Sequence, residues 1–172
     1  LKATDYRAGG AGMKRKWFLI GTAGLFAADQ LLKTYAEQNL DKQEERNVSG
    51  PVVLRRVHNK GMCFGLLSAR PETVKILSLA VSGGVAGRLA VCLFQKRGLW
   101  KKVALSLLNA GAWSNTFDRF ARGYVVDYIG FSVNNPKVAK ITYNLGDFFI
   151  AAGTVLLSVC SLCCSSSKDA EI

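Results

Sequence analysis

Apolar residues in this chain gather in long blocks divided by polar connections. The first block, residues 17–36, is mostly apolar as far as Ala28 and then carries Asp29, Gln30 and Lys33. A second block, 73–95, contains the small residues Ser82, Gly83, Gly84, Ala86 and Gly87, which permit close helix packing. Residues 103–120 form a third block, and 142–164 a fourth that leads into a polar tail. Each block has membrane-spanning length, so the pattern predicts an all-α polytopic membrane protein with four transmembrane helices. The polar stretch 37–72 holds two strand-length apolar pieces, Val52–Leu54 and Met62–Phe64, punctuated by Pro51 and by glycines at 50, 61 and 65. They predict a small extracytoplasmic β element.

Charge and length refine this picture. With 172 residues the chain suits one domain. Met13 followed by Lys14-Arg15-Lys16 reads as a natural start, so 1–12 is expected to be a remnant outside a single domain of 13–172. A cleaved signal peptide would need small residues after its apolar run. Asp-Gln-Leu-Leu-Lys follows instead, so the first block reads as a retained helix. The net charge of +11 can mark nucleic-acid binding. Beside four apolar blocks it reads instead as topology signals meeting anionic lipid head groups, with no nucleic-acid partner. Positive residues at 14–16 and 96–102 then share the cytoplasmic side, as do both termini. Arg55, Arg56 and Lys60 fall outside, in a longer loop where the rule is weaker. Five cysteines, four of them in apolar segments, suggest no disulfide framework. Cys160, Cys163 and Cys164 lack a second half-site, and His58 is the only histidine, so neither metal nor cofactor is expected.

The topology converges polar groups in depth. Asp29 lies twelve residues past Trp17 and Asn115 twelve past Val103, each about 18 Å from a cytoplasmic helix end. Asp147 lies about 7 Å into a helix entering from outside, and Asp127 lies in the connection beyond the third helix. Ionisable groups beside membrane-length helices are costly and mark functional sites. Two carboxylates held close share one proton; one can act as base on a water while the other donates to a scissile carbonyl. Asp127 and Asp147 bracket the outer loop and suit this pairing. Asp118 is the rival partner, better suited to a charge pair or a helix end.

Four motifs in order carry a family resemblance. They are Asp29-Gln30-Leu31-Leu32-Lys33, Asn59-Lys60-Gly61-Met62-Cys63-Phe64, Asn115-Thr116-Phe117-Asp118-Arg119 with Gly123-Tyr124-Val125-Val126-Asp127, and Asn144-Leu145-Gly146-Asp147. From Lys14 to Cys164 the chain resembles the signal peptidase II family, the bacterial lipoprotein signal peptidases. The resemblance implies a membrane aspartic endopeptidase that cleaves prolipoprotein signal peptides just before a diacylglyceryl-modified cysteine. It implies Asp127 and Asp147 as the catalytic pair. It further implies lipid-modified prolipoproteins and membrane lipids as partners, no obligate protein partner, and residence in the bacterial cytoplasmic membrane with the site near its outer face. Ser114 stands where the family has glycine, and Gly146 and Cys63 stand where it usually has alanine.

Supporting roles have plainer alternatives. Asp29 and Lys33, four apart on one helix face, are either a simple ion pair or a support at site depth. Asn115 and Arg119 share a face and serve substrate or the outer loop. Asn59 is a turn residue or, with Gly61 and Phe64 of its motif, a substrate contact. Asn144 bonds substrate or caps the fourth helix. His58 is expected at the surface or interface, without a catalytic part. Two rival functions remain: a catalytically impaired homologue that binds lipidated peptides, and a small proton-coupled transporter, which would be expected to carry repeats and broken helices.

Overall fold

A computed structural model of the chain describes residues 3–41, 44–61, 67, 69–95 and 98–169. Four long helices occupy the four apolar blocks: α1 Ala3–Asn39, α2 Pro71–Phe94, α3 Leu99–Ala121 and α5 Leu145–Asp169. Strands β1 Arg46–Ser49, β2 Val52–Asn59, β3 Val125–Phe131 and β4 Thr142–Tyr143 form one antiparallel sheet in the order β1-β2-β3-β4. A single turn of helix, α4 Pro136–Ala139, precedes β4.

The sheet is larger than the sequence pattern suggested. Val52–Leu54 is only the start of an eight-residue strand. Met62–Phe64, and with it Phe64 of the predicted site, lies outside the described residues. Asp127, expected in a connection, sits on β3. The fourth helix begins at Leu145 because Thr142 and Tyr143 pair with Gly130 and Ile129. The boundaries have local causes. Pro71 supplies a preset φ and needs no amide partner in the first turn of α2. Gly123, at φ 82°, takes the left-handed turn between α3 and β3 that a side chain would resist.

Among the described residues, α2 and Leu145–Leu162 of α5 are long and apolar enough to cross a membrane. In α1 and α3 several polar residues of the middle turns point inward. Asp29, Lys33, Ser114 and Asp118 are fully buried, whereas Leu31 is 71% and Phe117 48% exposed. Such helices are polar towards their partners and apolar outside, which lowers their mean hydropathy but not their outer face.

Helix α3 packs most intimately on α5. A Cβ at Gly111 would stand 2.2 Å from the Gly146 carbonyl oxygen, and one at Gly153 would stand 2.7 Å from that of Ala104. The glycines expected to permit close packing, Gly83, Gly84 and Gly87 of α2, have nothing within 4 Å of such a Cβ. Close approach belongs to α3–α5, while α2 meets α3 through Ser82 and Thr116, whose hydroxyls are 2.8 Å apart.

Candidate active site

Asp127 owes its direction to strand alternation. On β3, Val126 and Tyr128 enter an apolar cluster with Ala36 of α1 and Leu40 just beyond it. Val125 and Asp127, on the other face, line a cavity of about 460 Å³ between the sheet, α2, α3 and α5. Asn59 reaches the same face through a bulge. Leu54 pairs with Ile129 but Val57 pairs with Asp127, so β2 carries one extra residue between those pairs. Without it His58 would oppose Val125 and Asn59 would turn away. With it, Asn59 opposes Val125 and its Nδ2 donates to Asp127 Oδ2 at 3.0 Å.

Asp147 is fixed by a reciprocal cap. Asn144 precedes α5, and its Oδ1 accepts the Asp147 backbone N–H at 2.9 Å. The Asp147 Oδ2 accepts the Asn144 backbone N–H at 3.0 Å in return, three residues apart as a capping box requires. Asn115 Nδ2 donates to the other oxygen, Oδ1, at 2.9 Å. Asn144 Nδ2 then donates to Asp127 Oδ1 at 2.7 Å. One asparagine therefore grips both carboxylates, and Asp127 and Asp147 line the same cavity. Burial first, and then the Asp147 charge, push the Asp127 carboxyl up to about 7, against the bonds from Asn59 and Asn144 and the charge of Lys33.

Beneath the pair lies a fully buried ionic cluster. Lys33 Nζ is 2.9 Å from Asp29 Oδ2 and 3.1 Å from Asp118 Oδ2, with all three side chains fully buried. It also donates to Asn115 Oδ1 at 2.7 Å. The Asp29–Lys33 pair is thus part of a network, since Lys33 also ties α1 to α3. Asp118 is held in a charge pair with Lys33 and Arg122, and its Oδ2 accepts the Val126 backbone N–H. It does not line the cavity, so Asp127 and Asp147 are the acids brought together there. Arg119 lines the cavity and donates to the carbonyls of Asn115 and Gly61, both at 3.0 Å. The Gly61 amide donates to Asn59 Oδ1 at 3.0 Å, which orients that side chain's amide toward Asp127. His58 stacks on Tyr124 and pairs with Glu37, away from the acids.

Several further residues take part. Arg122 had a usable signal, since it stands four residues after Asp118 on one helix face. Tyr128 donates to Asp29 and accepts the Leu145 amide, both at 3.1 Å, joining α1, β3 and α5. Gln30 reaches Ser114 and Asp118. Gln30 stood in the first motif and Tyr128 directly after Asp127, but their partners could not be read locally, because these lie 84 to 99 residues away or across an unpredicted strand. In the apolar wall, Leu77 and Val81 come from α2, Tyr143 from β4, and Phe148 and Ile150 from α5. Among the described residues, no group of three His, Cys, Asp or Glu side chains could hold a metal ion.

The family model for signal peptidase (SPase) II matches residues 22–163. The chain belongs to the signal peptidase II family. A lipoprotein signal peptidase of Trichormus variabilis is 34% identical over 150 residues, 87% of this chain and 91% of its own. One of Caldicellulosiruptor bescii is 33% identical over 144 residues, 83% and 87% of the two chains. A bacterial membrane enzyme determined by the in meso method at 2.3 Å resolution superposes with a TM-score of 0.76 at 22% identity, covering 89% of this chain and 92% of its own. That likeness concerns the fold. Within the signal peptidase II frame all four sequence motifs meet at or beneath one cavity, apart from their residues outside the described set.

Proposed function

We propose that this signal peptidase II family member is an aspartic endopeptidase in which Asp127 and Asp147 cleave prolipoprotein signal peptides before a diacylglyceryl-modified cysteine. Cleavage of lipoprotein signal peptides follows from the family. The observation that supports the aspartic chemistry is the single asparagine, Asn144, bonded to both carboxylates at the edge of one cavity.

Near neutral pH the pair holds one proton. In the cycle we assign, that shared proton starts on Asp127, whose carboxyl is raised to about 7 by burial and the neighbouring Asp147 charge, and Asp147 serves as base. Asp147 takes a proton from water as the water oxygen attacks the scissile carbonyl carbon. Asp127 gives its proton to the carbonyl oxygen, and a tetrahedral diol forms. Asp147 then passes its proton to the departing nitrogen while Asp127 recovers one from the diol. Both carboxyls return to their starting states. Asn115, Asn144 and Asn59 hold the two acids, and Arg119 with Gly61 shapes the cavity rim.

The apolar outer faces of α1 and α3 support four spans rather than two. Both termini then lie in the cytoplasm and the sheet covers the outer end. The apolar cavity wall would receive the residues before the cysteine, with the acyl chains remaining in the bilayer. Purified protein incubated with a diacylglyceryl-modified precursor provides the test. Cleavage should occur with the parent and vanish in Asp127→Asn and in Asp147→Asn, with expression and insertion retained. Full activity in either variant overturns the pairing.

A further inference from the structure

Ser114 is fully buried and does not line the cavity. Its hydroxyl donates to Asp29 Oδ2 at 2.5 Å and accepts from Lys33 Nζ at 3.1 Å and Gln30 Nε2 at 2.8 Å. One proton and two lone pairs are thereby all used. Lys33 in turn donates to Asn115 Oδ1, and Asn115 donates to Asp147 Oδ1. A continuous chain of hydrogen bonds runs from Ser114 to one of the two cavity acids.

Gly146 meets the same cluster from α5. A Cβ there would stand 2.9 Å from Asp29 Oδ2, 3.0 Å from Asn144 Oδ1 and 3.3 Å from the Gly111 carbonyl oxygen. The first two oxygens have little freedom to yield. Asn144 Oδ1 is fixed by the Asp147 amide, and Asp29 Oδ2 by Ser114 and Lys33. The hydroxyl at 114 and the missing side chain at 146 therefore both bear on one carboxylate oxygen, Asp29 Oδ2.

We propose that Ser114 is a positioning residue for the Asp127–Asp147 pair, acting through Lys33 and Asn115, and that its hydroxyl requires glycine at 146. This rests on the aspartic reading for its effect on turnover, but the coupling of 114 with 146 stands on packing alone. In Ser114→Gly the Asp29 carboxylate gains room to move away from a side chain at 146.

The experiment compares the parent with Ser114→Ala, Ser114→Gly, Gly146→Ala and the double variant Ser114→Gly/Gly146→Ala, all purified in detergent. Cleavage of the diacylglyceryl-modified precursor gives kcat and KM, and thermal unfolding gives Tm. Ser114→Ala should lower kcat about tenfold with KM unchanged, because the lost hydroxyl bonds charged groups but faces no part of the cavity. An unchanged kcat, or a change confined to KM, overturns the positioning role. Gly146→Ala should lower both Tm and kcat, and adding Ser114→Gly should restore part of both. Additive losses overturn the coupling. Should Gly146→Ala fail to fold, recovery of monodisperse protein in the double variant supports the coupling, and its continued failure overturns it. Cleavage surviving in Asp147→Asn would overturn the aspartic reading instead, leaving the coupling to be decided by Tm.

Discussion

Asn144 performs two tasks with one side chain, and replacing it by alanine tests both. Its Oδ1 caps α5 through the Asp147 amide, and its Nδ2 holds Asp127. Loss of an N-cap costs about 1 kcal/mol. The bond to Asp127 is worth about 2 kcal/mol when the carboxylate is charged and about 1 kcal/mol when it is neutral. The sign of the pH dependence follows from the Asp127 carboxyl, raised from 3.8 to about 7 in the folded protein. Between these values the folded state holds a proton that the unfolded chain releases, so this group's contribution to stability falls as pH rises. Asn144→Ala removes a donor that favours the ionised form, so it raises that carboxyl further. Its cost should be about 2 kcal/mol at pH 5 and about 3 kcal/mol at pH 8. The additional loss at pH 8 corresponds to a Tm deficit of about 3 °C in a chain of this size. Thermal unfolding in detergent at the two pH values measures it. Turnover should fall as well, with the pH profile of kcat displaced upward by under about one unit. Asn144→Asp separates the tasks. Aspartate keeps the cap but sets an oxygen against Asp127 Oδ1, so most of the helix stability should survive while neutral-pH cleavage fails. Equal losses at pH 5 and pH 8 for Asn144→Ala would refute the charged bond to Asp127.

Three further outcomes follow from the same geometry. Lys33→Ala leaves Asp29 and Asp118 buried without their shared cation, a loss of about 3–5 kcal/mol, whereas Asn115→Ala should retain the fold and lower kcat; comparing Tm with turnover separates them, and equal Tm values would contradict the buried network. Gly111→Ala places a methyl group against the Gly146 carbonyl and should cost at least about 1–3 kcal/mol, read as reduced Tm; an unchanged Tm would deny the close α3–α5 contact. Single cysteines at Lys101 and Asn134, in a background lacking native cysteines, should label from opposite sides of the membrane, and labelling from one side would reject the four-span topology.

The bilayer-length blocks and the four motifs were readable along the chain, because each depends on local spacing. Asn144 to Asp147 is such a case: an N-cap and its third residue are neighbours in sequence, so their contact needs only a helix to begin there. The α1 pair Asp29–Lys33 was equally visible, but its energy scale was not. Four residues of spacing set the distance between the groups, while packing by α3 removed the water around them. The sequence also left Asp118 as a rival acid; in the fold Lys33 and Arg122 pair with it and it does not line the cavity. Asn59 presents the opposite case. Whether it or His58 faced Asp127 turned on one extra residue in β2, and neither composition nor alternation marks that position. Likewise, the small residues of α2 promised a tight contact that Gly111 and Gly146 make instead. Hydrophobic pattern decides which segments become helices and strands. Bulge position and helix rotation about the axis decide which side chains meet, because both depend on contacts between segments tens of residues apart.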